Sequence, residues 1–220
     1  MKGLAFFDFD GTLVSGNVVD QYIWFARQAW QHWRLARLAW RGGDLKRTDA
    51  RSREEFNHKF YREYAGFTRA WLEAESPRMY ERYLKLKLFA DAPSLVARNR
   101  GEGYLPVLVT GSLDFAMRPV VDALRFEHLL ANQIEFGADG HATGRMLPPV
   151  LAGAEKVRAM HELASRYNVS LRDCRAYSDD TSDIPMLEAI GQPFATNPKP
   201  ALRQEAARRN WPVLELGRPA

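Results

Sequence analysis

Apolar residues fill positions 3–9 almost without a break and stop at a glycine turn, a run too short for a helix and therefore read as a strand. Similar short runs predict strands at 106–109, 132–136, 174–178, 194–196 and 213–216. Between most of them, stretches with helical periodicity predict helices at 95–100, 115–124, 155–167, 184–190 and 200–209. Strands alternating with helices in this way predict a parallel sheet covered on both faces, a doubly wound α/β core. Residues 137–144 read as a hairpin turn, with Asp139-Gly140 as the signal.

Residues 15–90 break that rhythm, because they hold no convincing strand. Tyr22, Ala26, Ala29, Trp33, Ala36 and Trp40 recur at spacings of 4, 3, 4, 3 and 4, which predicts one face of a single helix. More helix is expected at 51–64 and 68–88. The chain therefore divides into a core of residues 1–14 and 91–220, and a helical module of residues 15–90 inserted after the first strand.

Charge sharpens this division. The net charge of the 220 residues is +4, yet residues 15–90 carry 15 Lys and Arg against 9 Asp and Glu, a net +6, and the remainder carries −2. The basic character belongs to the insert. The densest apolar stretch, 22–40, contains Arg27, Arg34 and Arg37 and is not expected to span a membrane. Asp8 and Asp10 interrupt the N-terminal run before the core of a secretion signal could form, and Cys174 is the one cysteine. A cytoplasmic protein without disulfides is expected.

Two acids, Asp8 and Asp10, close the first strand, and Asp179, Asp180 and Asp183 follow the fourth. In an open α/β sheet both groups would meet beyond the C-terminal ends of the strands, where ligands bind. Crowded carboxylates repel one another, and a hard divalent cation relieves the repulsion; oxygen ligands without His or Cys favour Mg²⁺. Thr110, Gly111 and Ser112 at the end of the second predicted strand offer hydroxyls and approachable backbone amides, and Lys156 near a helix start offers positive charge. Together these groups suit a phosphate. The five histidines, His32, His58, His128, His141 and His161, fall outside the cluster and are expected at the surface or in packing.

DFDGTL at 8–13, VTGS at 109–112, Lys156, and YSDDTSD followed by IPML at 177–187 resemble the four-motif signature of the haloacid dehalogenase superfamily, in its Mg²⁺-dependent phosphatase branch. Lys156 precedes Asp179 by 23 residues, Asp179 and Asp183 are separated by three, and the resemblance extends through NPKP at 197–200. It implies a Rossmann-like core with a helical cap, Asp8 as a nucleophile forming an aspartyl-phosphate, and Asp10 as general acid and then base. It further implies phosphate binding by Thr110, Gly111 and Lys156, and Mg²⁺ held by Asp8, Asp179 and the main-chain carbonyl of Asp10. Asp183 would orient Lys156 or a metal-bound water, and Asp180 would be a solvated turn residue.

An insert in this position resembles the cap of phosphoserine phosphatase and its subfamily IB relatives, which implies a small phosphate monoester as substrate. Where phosphoserine phosphatases carry a glutamate for the substrate ammonium this chain has Asn17, which with Ser112 is a candidate substrate contact, unless Asp20 takes over. Phosphoserine itself is therefore not the expected substrate. Trp24, Trp30, Trp33 and Trp40 alternate with Arg27, Arg34, Arg37 and Arg41, a mixture suited to an anionic membrane or an amphiphilic phosphoester. The preferred expectation is plainer, with the tryptophans packing the cap and the arginines forming its wet face. The competing non-enzymatic reading is a protein that holds an anionic ligand on its basic cap; nucleic acid is not expected, because acids such as Glu54, Glu55 and Glu63 interrupt the basic residues.

Overall fold

The computed structural model describes residues 1–49 and 52–219. Strand β1 (Gly3–Phe7) is buried throughout, and its side chains alternate between two cores: Leu4 and Phe6 enter one, Ala5 and Phe7 the other. The chain then runs through α1 (Val18–Gln28), α2 (His32–Asp49) and α3 (Arg53–Tyr61), the last continued by a 3₁₀ turn (Arg62–Tyr64). Helix α4 (Arg69–Met79) passes through a π-helical stretch (Tyr80–Leu84) into the short α5 (Lys85–Lys87). Helix α6 (Ala92–Gly101), β2 (Tyr104–Leu113), α7 (Asp114–Leu124), β3 (His128–Phe136) and β4 (Ala142–Leu147) follow. The chain ends with α8 (Ala154–Arg166), β5 (Arg175–Ser178), α9 (Ile184–Ala189), β6 (Gln192–Thr196), α10 (Pro200–Arg209) and β7 (Val213–Leu214).

The strands form a seven-stranded sheet in the order β4-β3-β2-β1-β5-β6-β7, parallel except where β4 pairs antiparallel with β3. The hairpin between β3 and β4 turns through Asp139 and Gly140 as expected. Strand β1 lies between β2 and β5, so the chain segments leaving these three strands emerge side by side. Met160, Met186 and Leu202 of α8, α9 and α10 cover one face of the sheet. Leu95 of α6 and Phe115 of α7 cover the other, where they share one continuous core with Tyr22, Phe25, Phe60 and Tyr64 of the insert.

Several elements differ from the expectation. Strand β2 continues to Leu113, so Thr110, Gly111 and Ser112 belong to the strand itself. Residues 22–40 are not one helix. Trp30 adopts a left-handed φ of 55°, its N–H bonds to Arg27 O (3.0 Å), and Gln31 N–H bonds to Ala26 O (3.1 Å), which closes α1 in a Schellman turn. The spacing that marks the buried face of α1 at Tyr22 and Ala26 falls on the exposed face of α2 at Trp33, Ala36 and Trp40, so the periodicity ran through the break without marking one buried face.

The tryptophans also depart from the expected packing. Trp24 is partly buried and packs near Tyr83, with ring centroids 5.9 Å apart, but Trp30, Trp33 and Trp40 are 83%, 56% and 86% exposed. The arginines are not all wet either. Arg34 turns inward, donates to the carbonyls of Glu63 (2.7 Å) and Ala65 (2.8 Å), and lies over the Phe67 ring. Its hydrogen bonds satisfy the chain as it leaves the 3₁₀ turn, a local need that outweighs the cost of burying the guanidinium. Among the described residues, no helix is long and apolar enough to cross a membrane.

Candidate active site

Strand β1 ends at Phe7, one residue before Asp8, whose N–H still bonds to Tyr177 O (3.0 Å) on β5. The chain then turns through Gly11 at φ 85°, where a Cβ would stand 2.2 Å from Asp179 Oδ2. Glycine is required there both for the backbone and for the space. The turn brings Thr12 Oγ1 to 3.2 Å from Asp8 Oδ2 and from Asp179 Oδ1, so a single hydroxyl stands between two buried carboxylates.

Lys156, in the first turn of α8, is buried and reaches Asp8 Oδ1 at 2.8 Å and the Asp183 carboxylate at 2.9 Å. Ser178 Oγ donates a further bond to Asp183 (2.8 Å). Asp10 is held from the opposite side, where Ser112 Oγ donates to its Oδ2 (2.7 Å) and Gln21 Nε2 to its Oδ1 (3.1 Å). The same Gln21 nitrogen lies 2.9 Å from Ser112 Oγ, so α1 of the insert ties the end of β2 to the acid after β1.

Burial and crowding set the electrostatics. Burial pushes Asp8 up to about 7 against the pull of Lys156, with Asp183 and Asp179 adding to the rise. Asp10 rises to about 6, again through burial, moderated by the Ser112 hydrogen bond. Asp179 is raised by burial while Lys199, 3.0 Å away, opposes the rise. Burial works to lower Lys156, but the Asp183 and Asp8 carboxylates outweigh it and hold the ammonium above the ordinary lysine range. Asp8, Asp10 and Asp179 are thus all held above the ordinary carboxylate range, chiefly by burial.

Asp180 is more engaged than a solvated turn residue. It accepts from Ser182 N–H (2.8 Å) and pairs with Lys199 (2.7 Å), and despite partial burial these donors hold its carboxyl down at about 2.

Asp8, Asp10, Gly111, Lys156, Asp179 and Asp183 line a compact cavity of about 60 Å³, to which the insert contributes Val18, Arg53 and Asn57. Arg53, Gly153 and Ser182 also border a wider cleft of about 620 Å³ that extends to Lys46 and Asp49 at the end of α2. Thr110 is fully buried, does not line the cavity, and its hydroxyl accepts from Ser112 N–H (3.0 Å). Asn17 also stands outside. Its side chain caps α1 by accepting from Val19 N–H (2.8 Å) and Asp20 N–H (3.3 Å), while Asp20 returns the bond to Asn17 N–H (3.2 Å). This capping box commits both residues to the helix start, and Val18 takes the cavity wall instead. None of the five histidines lines the cavity.

Sequence reasoning missed Thr12, Gln21, Arg53, Asn57 and Lys199. Thr12 and Lys199 sit inside the quoted stretches DFDGTL and NPKP, which is a signal of sorts. Gln21 and Asn57 carry none, because their roles depend on how the insert folds back over the sheet. Asn57 Nδ2 is buried at the cavity without a hydrogen-bond partner among the described residues.

Among the described residues no three His, Cys, Asp or Glu side chains form a ready-made metal cage. The set expected for Mg²⁺ uses only two side chains, Asp8 and Asp179, with the main-chain carbonyl of Asp10. Those two carboxylates meet across one hydroxyl and both have raised affinities for protons, so their chemistry fits a hard cation.

Residues 5–188 match the family model of haloacid dehalogenase-like hydrolases. An "Inhibition of morphological differentiation protein" of Streptomyces azureus is 36% identical over 132 residues, 60% of this chain and 47% of that protein. The chain thus spans about half the length of the curated relatives it matches first. A histidinol-phosphatase of Neisseria meningitidis is 26% identical over 98% of this chain and 100% of its own. A protein of unknown function from Bordetella pertussis superposes with a TM-score of 0.84 at 28% identity, covering 96% of this chain and 97% of that one. An apo phosphoserine phosphatase, 22% identical, shares the fold with a TM-score of 0.70 over 96% of this chain and 92% of its own. Motif order, sheet topology and the match over most of the chain agree: this protein belongs to the haloacid dehalogenase-like hydrolase family.

Proposed function

We propose that the protein is a Mg²⁺-dependent phosphomonoesterase that cleaves a small phosphate ester through an aspartyl-phosphate. The observation that carries this reading is the Lys156 ammonium locked between Asp8 and Asp183 at the cavity wall, opposite an Asp10 held by Ser112 and Gln21. Asp8 attacks phosphorus, and a new P–O bond forms as the bond to the alcohol breaks. Asp10, which burial keeps protonated to about pH 6, gives its proton to the departing alkoxide. As a carboxylate it then takes a proton from water, which attacks the acyl phosphate and frees Asp8 and inorganic phosphate. Lys156 holds negative charge at Asp8 and the phosphoryl oxygens, and Asp183 keeps the ammonium in place. Bound through the Asp8 and Asp179 carboxylates and the Asp10 carbonyl, Mg²⁺ would supply further positive charge to the phosphoryl group.

The alcohol is read by the insert, through Val18, Arg53 and Asn57. Amino-alcohol phosphates head the candidates, because a relative matched over 98% of this chain and 100% of its own length is named a histidinol-phosphatase. Phosphoserine ranks lower, because Asn17 and Asp20 are spent on the helix cap. The test is Mg²⁺-dependent phosphate release across amino-alcohol, amino-acid, sugar and nucleotide monophosphates, with Asp8→Asn as the blank. A strong substrate lost in the blank supports the reading; silence in folded protein, or undiminished release by Asp8→Asn, would sink it.

A further inference from the structure

The outer face of α2 has no counterpart in the catalytic argument. Trp33, Ala36, Trp40, Gly43 and Arg47 follow one another at helical spacing and all are exposed, with Trp30 projecting from the turn just before. Three of the protein's six tryptophans thus stand in solvent on one helix and its leading turn. An apolar surface of this kind marks an interaction site. The Trp33 ring is itself braced by guanidinium groups, with Arg34 and Arg37 at 4.8 and 5.1 Å from its centroid.

Charge decides what the face meets. Residues 27–47 carry six Lys and Arg and a single acid, Asp44. Asp44 is 3.6 Å from Lys59, and the inward-facing Glu63 pairs with both Arg37 (2.6 Å) and Arg41 (2.5 Å), so it cannot neutralise the pair. Lys46 and Arg47 are exposed at the end of the helix. Aromatic rings flanked by cations on an interfacial helix suit a lipid surface, where indoles settle at headgroup level and lysine and arginine meet anionic phosphates. A second copy is a poor match, because two-fold pairing through this face would set like charges against each other.

We propose that the Trp30–Trp33–Trp40 face of α2, with its flanking cations, docks the protein peripherally on an anionic lipid membrane. Lys46 also borders the wider cleft, so docking places the mouth of the site close to the bilayer surface. The docking surface stands whether or not the cavity is a phosphatase site.

The experiment is co-sedimentation of the full chain with vesicles of mixed phosphatidylglycerol and phosphatidylcholine, against phosphatidylcholine alone, at low and high salt. Expected is at least roughly tenfold stronger partitioning to the anionic vesicles, weakened by salt. A Trp30→Ala/Trp33→Ala/Trp40→Ala variant should lose that binding and the accompanying blue shift of tryptophan emission. Its circular dichroism and melting should be unchanged, since all three side chains are exposed. Arg47→Glu should weaken binding and flatten its salt dependence while leaving the tryptophans intact. No preference for anionic vesicles, or full binding by the triple variant, overturns the proposal. So does a tryptophan-dependent dimer in sedimentation equilibrium without vesicle binding, which would assign the face to a second copy, or capture of an oligonucleotide in preference to vesicles.

Discussion

Lys156 is buried between the carboxylates of Asp8 and Asp183, and its value to the site follows from what burial does to Asp8. Without the ammonium, Asp8 would bind its proton still more tightly than at its present value of about 7, and the proposed nucleophile would be neutral at working pH. Lys156→Met should therefore cut kcat by on the order of 10²–10³-fold. The protein should still fold, because Asp8 can take up a proton and Asp183 keeps its hydrogen bond from Ser178, so phosphate release and circular dichroism on the same sample check the claim. Gln21→Leu tests the opposite side of the site. It removes one donor to Asp10 while leaving Ser112 in place, and a hydrogen bond to a charged group is worth roughly 1.5–3 kcal/mol. Loss of about tenfold or more in kcat with little change in KM is expected; a change confined to KM would make Gln21 a substrate contact instead. Asp8, Asp10, Lys156, Asp179 and Asp183 could be gathered from the sequence, because each sits at a strand end or helix start that short motifs identify. Gln21 and Asn57 could not, since a neutral amide on a helix becomes significant only when that helix lies over the sheet.

At the level of elements, the alternation of strands and helices was legible because each parallel strand needs a buried apolar run and each crossover an amphipathic helix. The insert was legible as helical but not in its joints. A left-handed tryptophan in place of the usual glycine concealed the end of α1, and an inward arginine concealed how α2 is anchored. Arg34 is that anchor: it donates to two carbonyls around the 3₁₀ turn and covers Phe67. Arg34→Ala leaves those buried acceptors without partners and opens space beside the ring, for a cost of about 2–4 kcal/mol. Urea denaturation should show the loss as a lower midpoint. Arg34→Lys should recover only part of it, because an ammonium lacks the planar fork that reaches both carbonyls. A midpoint equal to the parent's would mean that the carbonyls find other donors and that α2 is fastened elsewhere.

Across the whole molecule, the site works against the fold that holds it. Asp8 and Asp10 bind protons more tightly in the folded chain, at about 7 and about 6, than an unfolded carboxylate at about 4. Between about pH 4 and 7 the folded state therefore holds more protons than the unfolded one, and the contribution of these acids to stability falls as pH rises through that window. Above pH 7 the loss is complete, and the raised Asp179 adds to it in the same direction. Bound Mg²⁺ would offset this burden only where the carboxylates are ionised. At pH 8, Mg²⁺ at about a hundredfold over its Kd should stabilise by roughly 2.7 kcal/mol, which is about 5–10 °C in Tm for a chain of this size. At pH 5 the rise should be far smaller, because protons compete for Asp8 and Asp179, whose affinities for them are raised. Asp8→Asn should melt no lower than the parent at pH 8 without metal and should respond weakly to Mg²⁺, since the neutral amide removes the repulsion that the cation relieves. Thermal melts of both proteins at the two pH values, with and without Mg²⁺, decide the matter. An equal Mg²⁺ shift at pH 5 and pH 8 would place the cation away from these acids, and a large drop for Asp8→Asn would mean that the Lys156 pair stabilises the fold more than the crowded carboxylates strain it.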